Sequence, residues 1–161
     1  MKSGLEPIYD ENTKILILGS APSEKSLELQ QYYANKGNQF WKIISESLNT
    51  TDPIDYEKRL ELLSQNQIGL WDIYSHFDRI GSLDSNFKQT KLNNFDALFS
   101  TASIKLIIAN GDKSYQEVLK STIFEHYTVI KCLSTSGANN GKAQERKIEW
   151  NEALQLPFLR E

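Results

Sequence analysis

The chain has 161 residues, 39% of them hydrophobic and 24% charged, and a formal charge of −3 at neutral pH. That length fits one domain with a proper core, and the charge leaves no overall basic footprint, so any nucleic-acid binding has to rest on a local basic face. A single cysteine, Cys132, and two histidines exclude a disulfide framework and a structural zinc site. An apolar leader and an 18-residue apolar run are both missing, which predicts an unanchored cytoplasmic chain.

Residues 1–13 read as a polar arm. Residues 15–18, Ile-Leu-Ile-Leu, form a continuous apolar run of the kind found in parallel strands buried on both faces. The chain then enters GSAPSEKSLELQQYYANKGNQFW, residues 19–41, which carries two adjacent tyrosines, two asparagines and a Phe-Trp pair. A loop that only had to turn would need none of these aromatics. Residues 26–33 can form a helical turn or two, ended by Gly37. Asn38 reads as the N-cap of a helix over 39–48 whose inner side carries Phe40, Trp41, Ile44 and Leu48.

A turn at 49–53 leads to an amphipathic helix over 55–66. The second strand is predicted at 68–74, followed by a long polar connection from His76 to Thr90 and a short helix over 94–99. The third strand lies at 104–109 and ends at Asn110-Gly111, with a helix over 114–120. The fourth strand, 127–133, runs into Ser-Thr-Ser-Gly-Ala-Asn-Asn-Gly at 134–141. A last helix over 142–154 points Ile148, Trp150 and Leu154 inwards. Four apolar strands alternating with helices predict one α/β domain, a parallel sheet with helices on both faces. The loops 19–26, 75–90, 110–114 and 134–142 all follow strands, so they should gather at one sheet edge, where open α/β sheets bind ligands.

The chemistry-bearing residues narrow the reading further. His76 and His126 sit in no nucleophile motif, and neither a dinucleotide fingerprint nor a P-loop is present; the GDKS at 111–114 reads as a helix entry. Asp72 and Asp84 are the carboxylates that stand out. Tyr32, Tyr33 and Phe40 could stack on a flat ring, while asparagine side chains offer a donor and an acceptor to a base edge. Trp41 reads as core. Tyr33 reads as functional, because a second tyrosine in a polar loop has no evident packing need. From residues alone the site is a pocket with a ring platform and amides.

The order and spacing of these pieces resemble the uracil-DNA glycosylase superfamily, most closely its hypoxanthine-DNA (deoxyinosine) glycosylase branch. That branch carries G-S/T-x-P-x-x-x-S-L-x-x-x-x-Y-Y-A-H-P-x-N-x-F-W. Here the matching residues are Gly19-Ser20-Ala21-Pro22, Ser26-Leu27, Tyr32-Tyr33-Ala34, Asn38 and Phe40-Trp41. Its G-L-W-D, G-S-L-D-S, N-G and S-T-S-P-A-N motifs correspond to residues 69–72, 81–85, 110–111 and 134–139. Two places differ: Asn35-Lys36 stands for His-Pro, and Gly137 for proline.

The resemblance implies a three-layer α/β fold, with a central four-stranded parallel sheet flanked by helices. It also implies a monofunctional enzyme that flips a deaminated base out of double-stranded DNA and removes it hydrolytically, hypoxanthine first and uracil second. No cofactor and no metal is implied, and the expected working unit is a monomer. Asn38 takes the catalytic role, holding a water beneath C1′, because an amide can position and polarise but cannot act as a general base. Tyr33, Ser20, Ala21, Asp72, Phe40 and Asn110 are expected to contact the base. Ser134, Ser136, Gly137, Ala138, Asn139 and Lys142 are expected on the DNA, the late loop filling the gap in the minor groove. Lys36, Lys42, Lys142 and Arg146 are candidates for phosphates, and Ser20, Ser23, Ser134 and Ser136 would allow close backbone approach. The alternatives are a catalytically silent DNA- or nucleotide-binding homologue and a hydrolase of free nucleosides.

Overall fold

A computed structural model describes residues 1–160. Two short sheets organise it. Strands β1 (Lys2–Ser3), β2 (Ile15–Gly19), β3 (Ile68–Asp72), β4 (Tyr74–Arg79), β5 (Phe87–Leu92), β6 (Leu106–Asn110) and β7 (Val129–Cys132) alternate with helices α1 (Glu24–Leu29), α2 (Phe40–Ser47), α3 (Tyr56–Gln65), α4 (Asp96–Thr101), α5 (Asp112–Lys120) and α6 (Ala143–Leu154). The main sheet has four parallel strands in the order β3-β2-β6-β7. This is the predicted three-layer α/β arrangement. Leu16, Ile17 and Leu18 have no exposed surface, so the unbroken apolar run is explained by burial on both faces. Each of these side chains contributes about 1.5–3 kcal/mol by leaving water.

The two faces are built differently. Ile15 and Ile17 pack with Phe40, Trp41 and Ile44 of α2, Leu63 of α3 and Trp150 of α6. Leu16 and Leu18 pack with Ile73, Phe77, Phe95, Leu98 and Val118. Alternate residues of one strand thus hold the two helical layers.

Three expectations need correction. The polar connection over 76–90 is mostly an antiparallel hairpin, β4 and β5, with β1 of the predicted N-terminal arm as its third strand. Its second strand was hidden because Phe87–Leu92 is largely solvent-exposed and carries no apolar run. The helix after Asn38 begins at Phe40 with Gln39 at its cap position, although Asn38 Oδ1 still accepts from Phe40 N–H at 2.9 Å. In α6 the inward residues are Arg146, Trp150 and Ala153, whereas Ile148 is 49% exposed. Two residues of helix turn it about 200° away from Arg146. No helix among the described residues is long and apolar enough to cross a membrane.

Candidate active site

The carboxyl ends of the four parallel strands open into a cavity of about 500 Å³. Its walls come from the loop after β2, the end of β3, the tip of the β4–β5 hairpin, Asn110 to Asp112, and the loop after β7. The predicted clustering of strand-following loops is therefore real, with only the tip of the hairpin taking part.

Asp72 forms the floor. It is 4% exposed, and its Oδ2 is enclosed with no hydrogen-bond partner among the described residues. Burial, and then the nearby Asp84 carboxylate, push its pKa up to about 7, with Arg79 opposing. Stranding an acceptor in the interior costs about 1–3 kcal/mol, and such a group calls for an explanation beyond folding.

Tyr33 stands beside it in a left-handed backbone conformation, φ 56°, which is uncommon for a bulky residue. Its ring stacks on Phe40 at 4.0 Å between centroids and 22° between planes. Phe40 is completely buried, so it does not line the cavity; contrary to expectation it backs the tyrosine instead of facing a base. Tyr32 touches the cavity but belongs to the core, with its hydroxyl donating to the Glu6 carbonyl at 2.7 Å. Trp41 is core as predicted, its indole N–H donating to the Tyr32 carbonyl. Burial and the charge of Asp72 raise the pKa of the Tyr33 phenol, which keeps it a neutral hydroxyl.

Asn110 reaches the cavity, but its amide is already engaged. Its Nδ2 donates to Thr135 Oγ1 at 3.1 Å and to the Tyr33 hydroxyl at 3.3 Å, and its Oδ1 accepts from Thr135 N–H at 3.0 Å. It bridges the platform to the late loop. Asn38 differs: Oδ1 accepts from Phe40 N–H, which fixes the side chain and leaves a second lone pair free. Its Nδ2 donates to no described protein group. A fixed amide facing a cavity can orient a small polar molecule without a proton changing hands.

Ser20 and Ala21 line the cavity, and the Ser20 hydroxyl donates to Asp84 Oδ1 at 2.6 Å. Sequence reasoning singled out Asp84 without a role and missed Arg79. The Arg79 guanidinium lies 3.5 Å from Asp84, donates to the Pro22 carbonyl, and covers the rings of Phe77 and Phe87. A cation buried among aromatics from an apparently polar loop leaves no sequence signal.

Ser134, Ser136, Gly137, Ala138, Asn139 and Lys142 all line the other wall. Gly37 and Gly137 bring the first and last loops together, since a β-carbon on Gly137 would lie 3.0 Å from the Gly37 carbonyl oxygen. Gln39 N–H donates to the Thr135 carbonyl at 2.9 Å, tying the same loops. Arg146 is no phosphate ligand: it is 2% exposed, and its guanidinium donates to the carbonyls of Ser134 and Ser136 and to Asn140 Oδ1. Lys36, Lys42 and Lys142 are exposed and make no salt bridge among the described residues.

The model of the uracil DNA glycosylase superfamily matches residues 6–155. A protein of Methanosarcina barkeri named hypoxanthine DNA glycosylase is 41% identical over 160 residues, covering 95% of this chain and 98% of its own. Another of that name, from Methanosarcina acetivorans, is 38% identical over 154 residues, covering 93% of this chain and 96% of its own. A solution NMR structure of a Methanosarcina acetivorans chain, provisionally named a uracil DNA glycosylase, superposes with a TM-score of 0.84 at 36% identity, covering 99% of both chains. The chain belongs to the uracil DNA glycosylase superfamily.

Proposed function

We propose that this superfamily member is a monofunctional DNA glycosylase that removes a deaminated base from double-stranded DNA, hypoxanthine first and uracil second. The observation that carries this reading is the buried carboxylate of Asp72, whose Oδ2 has no hydrogen-bond partner among the described residues, lining one cavity with Tyr33 and Asn38. Deamination converts the ring nitrogen of adenine (N1) or cytosine (N3) from an acceptor into an N–H donor flanked by a carbonyl. A carboxylate accepts from that N–H, whereas it faces the undamaged base lone pair to lone pair. Asp72 therefore separates hypoxanthine from adenine, and uracil from cytosine, by the sign of one hydrogen bond, worth about 1.5–3 kcal/mol for a charged acceptor. The preference for hypoxanthine draws its support from the two Methanosarcina relatives of that name.

In this reading an extruded base lies against Tyr33, which Phe40 stiffens from behind, and its ring N–H meets Asp72. Asn38 holds a water beneath C1′. As the glycosidic bond breaks, the sugar becomes cationic and the base leaves with the bonding electrons; the water adds to C1′ and a proton reaches the departing base. Positioning and electrostatics are the main contributions of the residues named. The backbones of Ser134, Ser136, Gly137, Ala138 and Asn139, with Lys142, meet the DNA strand. One chain builds the whole cavity, which supports a monomeric working unit.

The test is strand cleavage of labelled duplexes carrying one hypoxanthine, uracil or xanthine, treated with alkali after incubation. Cutting at hypoxanthine, weaker cutting at uracil, and loss of both in Asn38→Ala are expected. No cut at any of the three by folded protein overturns the reading.

A further inference from the structure

Three enclosed side-chain atoms have no hydrogen-bond partner among the described residues, and two of them are Asp72 Oδ2 and Arg79 Nε. A buried charge that is incompletely paired weakens a fold, so its retention calls for a use.

One short stretch of chain links these groups. Gly19 lies opposite Asp72 in the sheet. The next residue, Ser20, donates to Asp84 Oδ1 at 2.6 Å. Pro22 then accepts from Arg79, whose guanidinium lies 3.5 Å from the same Asp84 oxygen. Residues 19–22 thus hold Asp72, Asp84 and Arg79 as one cluster on the cavity wall, which all three line. The two members of the ion pair differ in freedom. The Arg79 side chain is 2% exposed and fixed over Phe77 and Phe87, whereas that of Asp84 is 44% exposed. Asp84 is therefore kept at the cavity by Ser20 and Arg79, not by burial.

These two charges act on Asp72 in opposite directions, Asp84 favouring its protonated form and Arg79 its carboxylate. The other ionisable groups around the cavity do not compete. Tyr32 and Tyr33 are held neutral by burial. Asp112 is paired with Lys131, Lys142 is exposed on the far wall, and Arg146 is turned to the carbonyls of Ser134 and Ser136.

We propose that Arg79 and Asp84 are specificity-setting positioning residues: held as an ion pair against the first loop, they act through Asp72 and decide whether the base meets an acceptor or a donor on the cavity floor. The proposal rests on the reading of the chain as a DNA glycosylase that reads its base with Asp72. As a carboxylate, Asp72 accepts from the N1–H of hypoxanthine; as an acid, it donates to N1 of adenine. Loss of the Asp84 charge leaves Arg79 to favour the first state, and loss of Arg79 leaves Asp84 to favour the second. A pair that only braced the loop would give the same effect from either side.

The experiment measures the affinity of the wild type, Asp84→Asn, Arg79→Gln and Asp78→Asn for duplexes carrying one 2′-fluoro-2′-deoxyinosine or one 2′-fluoro-2′-deoxyadenosine, from pH 5 to pH 8. The fluorine disfavours a cationic sugar and so blocks excision, which leaves binding alone to be read. Excision of ordinary hypoxanthine by the wild type is followed alongside. The wild-type preference for inosine should rise with pH, with a midpoint near 7. In Asp84→Asn the midpoint should fall by about one unit, although the amide oxygen still accepts from Ser20 and keeps the brace. In Arg79→Gln it should move up, with the preference still rising at pH 8. Asp78, which pairs with the N-terminal ammonium outside the cavity, serves as the charge control, and its variant should shift the midpoint by less than about 0.3 unit. Shifts of the same sign in Asp84→Asn and Arg79→Gln, or an equal shift in Asp78→Asn, would overturn the proposal. Should Arg79→Gln not fold, an unmoved midpoint in Asp84→Asn overturns it alone. Excision by a wild type whose preference ignores pH would sink the proposal and spare the glycosylase reading. Opposed shifts without any excision would uphold the pair and overturn that reading.

Discussion

Gly19 and Asp72 lie opposite each other on neighbouring parallel strands, and a β-carbon on Gly19 would stand 2.5 Å from Asp72 Oδ1. The glycine that opens the first loop is therefore what lets the carboxylate occupy the cavity floor. Because the obstructing atom is the end of a side chain, Gly19→Ala can be accommodated by turning the carboxylate away. Its expected stability cost is about 1–3 kcal/mol. Excision should fall by at least about tenfold, the equivalent of one displaced hydrogen bond. Thermal melting beside single-turnover rates checks this. Unaltered excision would show that the position of Asp72 does not matter.

The pKa of Asp72 sets a pH dependence with a definite sign. Its folded value of about 7 lies above the ordinary carboxylate value of 3.8. Between these values the folded chain holds a proton that the unfolded chain has released, so stability falls as pH rises from about 4 to about 7 and then levels off. Asp72→Asn removes this loss. The variant should gain on the wild type across that window, by up to about 4 kcal/mol, and the gain should be constant above it. Denaturant melts at pH 4, 6 and 8 read the difference. A gap that does not widen with pH would contradict a carboxylate ionising in the interior.

The same ionisation bears on base choice. Above pH 7 the carboxylate only accepts, whereas the neutral acid also donates and could pair with the acceptor edge of adenine. Discrimination between hypoxanthine and adenine in binding to base-analogue duplexes should rise from pH 6 to pH 8. A flat ratio would remove Asp72 from base reading.

Asn38→Ala separates chemistry from folding. Loss of the contact with Phe40 N–H should destabilise by about 1 kcal/mol, the ordinary net worth of one hydrogen bond. Excision should fall about 10²–10³-fold, as when a positioned amide is removed from another hydrolytic site. Asn38→Asp restores the acceptor to Phe40, so it should recover stability without recovering the rate fully. Equal recovery of both would make Asn38 a structural hydrogen-bond acceptor and no more.

The parallel sheet was legible because its strands are apolar runs with no competing periodicity, and the site because its loops follow those strands. What stayed hidden has physical causes. Phe87–Leu92 is an edge strand with an exposed, polar face, so period-two alternation never appears. Arg79 and Arg146 are cations in the interior, where composition predicts solvent; each is held by main-chain carbonyls that a sequence does not display. Phe40 and Tyr33 were grouped correctly as aromatics, but which ring faces the cavity depends on the left-handed turn at Tyr33. Asn110 was rightly placed at the edge, while its engagement with Thr135 depends on a loop 25 residues away.

The contact between Gly37 and Gly137 predicts an asymmetry. A β-carbon on Gly137 would lie 3.0 Å from the Gly37 carbonyl oxygen and 3.2 Å from its carbon, both backbone atoms that cannot turn aside. A β-carbon on Gly37 would approach Gly137 Cα no closer than 3.6 Å, which is ordinary contact. Gly137→Ala must therefore separate the first and last loops by a few tenths of an ångström, straining the Gln39–Thr135 hydrogen bond that sits beside Asn38. A shift of that size in a positioning group is enough to lower a rate by about tenfold or more. Gly37→Ala should leave excision within about twofold, because its contact is tolerated without movement. Both variants should melt within a few degrees of the wild type, since neither residue is in the core. Equal losses in the two, or none in Gly137→Ala, would mean that the spacing of the loops does not set the geometry at Asn38.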